Sequence, residues 1–101
     1  MRLAAEQVDH IVTAAREFFG PQARVWLFGS RTDDRRRGGD IDLLVEADHS
    51  VERPVWTAAL LTARLQRKLG ERHIDVLVTD PTTAPEPIHE VARSQGLLLT
   101  P

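Results

Sequence analysis

Two aspartates, Asp40 and Asp42, open one apolar run, and a glycine-serine pair, Gly29-Ser30, closes an earlier one, within the stretch V-W-L-F-G-S-R-T-D-D-R-R-R-G-G-D-I-D-L-L-V. Side chains alternate along a β-strand, so positions 40 and 42 project from one face, about 7 Å apart along the chain. Two carboxylates on a short rigid element suit a hard divalent ion such as Mg²⁺, which takes oxygen ligands and keeps positions for water and phosphate oxygens. Gly29-Ser30 supplies the opposite half. Glycine allows close backbone approach, and a serine opening a turn leaves N–H groups and a hydroxyl aimed at an anion such as phosphate. Arg31 follows directly, and its guanidinium can clamp phosphate oxygens; Arg35, Arg36 and Arg37 either do the same or form a solvated surface run.

The elements that position these groups follow from periodicity. Apolar residues recur at Ala4, Val8, Ile11, Ala15 and Phe18, with Val12 and Phe19 widening the stripe, so residues 2–19 should form an amphipathic helix ended by Gly20-Pro21. Residues 24–28 form a first strand, whose unbroken apolar character suits an interior place and whose end delivers Gly29-Ser30. The loop 31–39 is too short for a crossover between parallel strands, so the second strand, 40–46, should run antiparallel to the first. A helix over 52–69, with Ala58, Leu61, Leu65 and Leu69 on its core side, separates that strand from a third over 73–78. Strands two and three should therefore be parallel, joined by a right-handed crossover.

Parallel neighbours begin at the same sheet edge, about 4.8 Å apart, so Asp75 and Asp42, each third in its strand, fall side by side. A loop rich in proline and threonine then leads to a helix over 86–95 with Pro87 in its first turn, and Gly96 ends it before a short edge strand, 97–99. The expected fold is α/β: a small mixed sheet, strands one and two antiparallel, two and three parallel, helices packed on one face and the carboxylate edge open.

Composition narrows the function classes. The 101 residues should make one domain, 1–101, and a net charge of -2 does not suggest direct nucleic-acid binding, which usually shows as a strongly basic domain. Without cysteine there is no disulfide framework and no thiolate zinc site. No apolar run approaches membrane-spanning length and the start M-R-L-A-A-E-Q-V-D-H has no apolar signal core, so a cytoplasmic protein is expected. His10, His49, His73 and His89 show no ligand spacing and read as surface or boundary residues, although His73 shares a face with Asp75; Trp26 and Trp56 read as core.

Gly29-Ser30, a gap, Asp40-x-Asp42 and the succeeding Leu43-Leu44-Val45 resemble the signature of the DNA polymerase β-like nucleotidyltransferase superfamily, most closely its minimal stand-alone members. The resemblance spans nearly the whole chain and implies a nucleotidyltransferase fold. It also implies roles: Asp40 and Asp42 holding one or two Mg²⁺ ions, Gly29 and Ser30 seating the β and γ phosphates, and Asp75 completing a second metal site and helping to deprotonate an acceptor hydroxyl. It further implies ATP as donor, AMP as the group transferred, and a helical HEPN-type toxin as partner and acceptor, the chain being its antitoxin. The competing reading is a non-catalytic nucleotide-binding module that neutralises its partner by contact.

Overall fold

The computed structural model describes residues 3–28, 40–70, 72–84 and 86–100. Its elements are α1 (Ala5–Phe19), β1 (Arg24–Phe28), β2 (Ile41–Glu46), α2 (Pro54–Leu69), β3 (Ile74–Thr79), α3 (Pro87–Gln95) and β4 (Leu97–Leu98). The four strands form one sheet in the order β3-β2-β1-β4, with β1 antiparallel to both β2 and β4 and β2 parallel to β3. The mixed sheet is thus the one expected.

Local chemistry sets the ends of the elements. α1 begins later than periodicity suggests, where the Ala4 amide donates to Gln7 Oε1 at 2.9 Å. It ends at Gly20, whose φ of 102° favours glycine and whose amide closes on the Arg16 carbonyl. α2 begins at Pro54, since proline's missing N–H costs nothing in a first turn, and it finishes with Arg67 and Lys68 against the negative end of the helix dipole. Gly96 is required by space: a Cβ there would collide with the Ala92 carbonyl and meet that of Leu27 at 2.9 Å, so only glycine lets α3 turn into β4 directly against β1.

α1 and α2 pack on one face of the sheet, as expected. Ile11, Ala14, Ala15 and Phe19 of α1 and Leu61, Leu65 and Leu69 of α2 close over Val25, Leu27, Ile41, Leu43, Val45 and Ile74. The buried stripe of α1 is rotated from the sequence reading: Ala14 is buried, Ala4 is exposed and Phe18 is half-buried, with the Arg64 guanidinium 5.2 Å over its ring. Arg64 also bonds Glu17 at 2.6 Å, tying α2 to α1. α3, expected on the same face as the other helices, lies instead on the opposite one, where Ala92 packs with Phe28 and Leu44, flanked by Trp26 and Leu77. This second layer explains why β2, flanked by strands and covered on both sides, is buried from Ile41 to Val45.

Two single-residue expectations are corrected. Trp56 is 61% exposed because its place in the first turn of α2 turns it away from the sheet, and His89 is buried because it shares the inward face of α3 with Ala92. No helix among the described residues is long and apolar enough to cross a membrane.

Candidate functional site

Strand pairing converts scattered residues into rows. Phe28 pairs with Asp42 across the antiparallel β1–β2 ladder, and Asp42 pairs with Asp75 across the parallel β2–β3 ladder. Paired residues share a face, so Phe28, Asp42 and Asp75 form one row. Trp26, Leu44 and Leu77 form the next, and Arg24, Glu46 and Thr79 the last. α3 covers the middle of this face, leaving the first row at the sheet edge where β1 ends and β2 and β3 begin.

Asp42 is only 5% exposed. Asp40 immediately precedes β2 and is half-buried, and both aspartates already engage other groups of the protein. Asp75 is open to solvent, with its Oδ2 2.9 Å from His73 Nε2. The structure therefore brings Asp75 beside Asp42, the juxtaposition inferred from the strand register. Gly29, Ser30 and Arg31 lie outside the described residues, as do Arg35, Arg36 and Arg37; the chain reaches Gly29 immediately after Phe28, the residue paired with Asp42.

The donor set suits a hard divalent cation, because all three groups are carboxylates and two stand on adjacent strands about 4.8 Å apart. Among the described residues no three of histidine, cysteine, aspartate and glutamate are already gathered closely enough to form a metal site. The fit is one of donor type and register.

At the opposite end of the face, Glu46 accepts from the Trp26 indole N–H at 2.5 Å and from Arg93 Nε at 2.9 Å, pinning α3 to β1 and β2. Sequence reasoning missed this bridge, since nothing local couples residues 46 and 93. It also missed Asp80, although the Asp80-Pro81-Thr82-Thr83 run is a turn signal. The Asp80 carboxylate accepts from the Thr82 hydroxyl at 2.6 Å, the Val51 amide at 2.7 Å, the Thr82 amide at 2.8 Å and the Thr83 hydroxyl at 3.1 Å. These bonds, led by the Thr82 hydroxyl, hold its carboxyl well below the usual carboxylate range against the opposing effect of desolvation. Asp80 thereby ties the loop after β3 to the loop before α2.

The mixed sheet sets Asp42 beside Asp75 where β2 and β3 begin, the arrangement expected from the sequence. Residues 8–94 match the nucleotidyltransferase domain, and the chain belongs to that family. Solved structures similar to it include a tri-AMPylated Shewanella oneidensis HEPN toxin in complex with MNT antitoxin, at 22% identity over 94% of this chain and 70% of that one, with a TM-score of 0.68. A toxin-antitoxin with AMP-PNP matches at 23% identity over 92% of this chain and 72% of that one, with a TM-score of 0.70. A mutant of the toxin-antitoxin MntA-HpeT, carrying two Asp-to-Glu substitutions, matches at 21% over 92% and 71%, with a TM-score of 0.69. At these identities the likeness establishes a shared fold. No curated protein matches the chain.

Proposed function

We propose that the chain is a Mg²⁺-dependent nucleotidyltransferase that moves AMP from ATP onto a hydroxyl of a helical HEPN-type partner, and so acts as its antitoxin. The observation that carries this reading is the Asp42–Asp75 pairing across β2 and β3, with Asp40 on the same strand face as Asp42. Support for the donor and partner comes from the similar structures, one holding a tri-AMPylated HEPN toxin with an MNT antitoxin and another AMP-PNP.

In this reading Asp40, Asp42 and Asp75 hold the metal, while Gly29, Ser30 and Arg31 seat the triphosphate. A divalent cation at the three carboxylates would neutralise phosphate charge and favour ionisation of the acceptor hydroxyl. The acceptor oxygen attacks the α-phosphorus, the α–β P–O bond breaks, pyrophosphate leaves, and Asp75 accepts the hydroxyl proton. Burial keeps Asp42 in a fixed place, which suits in-line transfer, where positioning supplies much of the rate.

The rival is a binding module that neutralises its partner by contact, and the exposed apolar side chains of Val55 and Trp56 in the first turn of α2 favour it. The two separate in one experiment using ATP labelled on the α-phosphate, Mg²⁺ and a HEPN-type partner. Transfer predicts label on the partner with wild type and none with Asp42→Asn, although both bind it in a pull-down. Full neutralisation by the unlabelling mutant would establish the contact reading instead.

A further inference from the structure

Resting on the transferase reading, the geometry points to His73 as a positioning residue: we propose that its Nε2–H···Oδ2 bond fixes the Asp75 carboxylate so that Oδ1 is presented to the metal. The backbone places the imidazole there. The Ile41 amide donates to the His73 carbonyl at 2.9 Å, and Ile41 pairs with Ile74, so one step earlier His73 stands beside Asp40 as Asp75 stands beside Asp42. Strand alternation puts all four on one face, giving a two-by-two array of three carboxylates and one imidazole at the sheet edge.

Among the described residues Asp75 Oδ2 is bonded to His73 Nε2 at 2.9 Å, and Oδ1 accepts no hydrogen bond. A carboxylate free to rotate about its terminal torsion samples a broad range of orientations, and one anchored oxygen removes that freedom. The donor is present in both the Nε2–H neutral tautomer and the imidazolium, so the anchor does not depend on the charge of the ring. Fold stability is a poor explanation for the contact, because the two side chains are 62% and 57% exposed, and exposed pairs contribute about 0–1 kcal/mol. Hydrogen bonds to a ligating carboxylate, by contrast, commonly govern metal affinity by about 10–100-fold.

The test is Mn²⁺ binding to the nucleotide-free protein, followed by electron paramagnetic resonance of the free ion, because excess nucleotide would itself chelate Mn²⁺. His73→Ala should weaken Mn²⁺ binding about 10-fold, and His73→Gln, which restores an N–H at similar reach, should recover most of it. Thermal melts of both variants should lie within about 5 °C of wild type, consistent with the small stability of an exposed pair. In transfer assays His73→Ala should lower kcat with the KM for ATP unchanged. Equal Mn²⁺ affinity of wild type and His73→Ala, with Asp75→Asn weakened, would overturn the positioning role while leaving the transferase reading intact. Wild type that binds no Mn²⁺ would overturn both.

Discussion

Glu46→Ala is the substitution whose consequence the structure defines most sharply. Glu46 is the only bridge among the described residues that joins β1, β2 and α3 through one side chain, accepting from Trp26 Nε1 and Arg93 Nε. The Glu46 and Arg93 side chains are 20% and 37% exposed, so solvent screening holds their ion pair to about 1 kcal/mol. The half-buried indole N–H left without its acceptor adds about 1 kcal/mol, the lower end of the range for an unsatisfied donor. The total, roughly 2 kcal/mol, corresponds to a fall in Tm of roughly 8–16 °C for a domain of this size. Differential scanning calorimetry should measure it, with Trp56→Phe as background so that fluorescence reports Trp26 alone.

Glu46→Gln keeps a carbonyl oxygen for the indole but loses the ion pair, and should cost about half as much. A cycle combining Glu46→Ala with Arg93→Ala should return a coupling of about 0.5–1 kcal/mol. Glu46 lies at the other end of β2 from Asp42, so nucleotide binding by the folded mutant should be unchanged. A Glu46→Ala protein within about 0.5 kcal/mol of wild type, with Trp26 emission unaltered, would refute the reasoning.

Three further outcomes are expected. Gly96→Ala should lose about 1–3 kcal/mol in urea unfolding, because its new methyl meets two backbone carbonyls rather than a yielding side chain. The depressed Asp80 carboxyl contributes stability that is fully present above the unfolded-state carboxylate range and is lost as pH falls toward its folded value; Asp80→Asn should therefore flatten the acid side of a Tm-against-pH curve while lowering Tm at neutral pH. Calorimetry should find ATP binding in Mg²⁺ and none in EDTA, because three carboxylates repel a triphosphate until a cation intervenes, and equal affinity in both would remove the metal-bridged site.

The placing of the three aspartates of the candidate site was legible because its logic is local or nearly so. Alternation puts Asp40 and Asp42 on one strand face, and the length of the intervening segments decides which strand pairs are parallel; those two facts suffice to bring Asp75 to Asp42. The order of helices and strands was readable for the same reason, with shifts of one to three residues at the ends where capping, rather than periodicity, decides.

What only the tertiary structure decided depends on contacts between distant segments. α3 carries His89 and Ala92 inward, but its sequence does not say which face of the sheet it will cover; the tight Gly96 turn against Leu27 and the bridge from Arg93 to Glu46 place it on the face of the carboxylate row. The burial of His89 follows from the same docking, and the exposure of Trp56 from its place in the first turn of α2, both against what their polarity suggests. The His73–Asp75 contact stands between these cases: alternation puts both residues on one face, and the side-chain geometry supplies the bond. Sequence patterns specify which way a side chain points from its own strand or helix; which neighbour it meets there is settled by packing across the sheet.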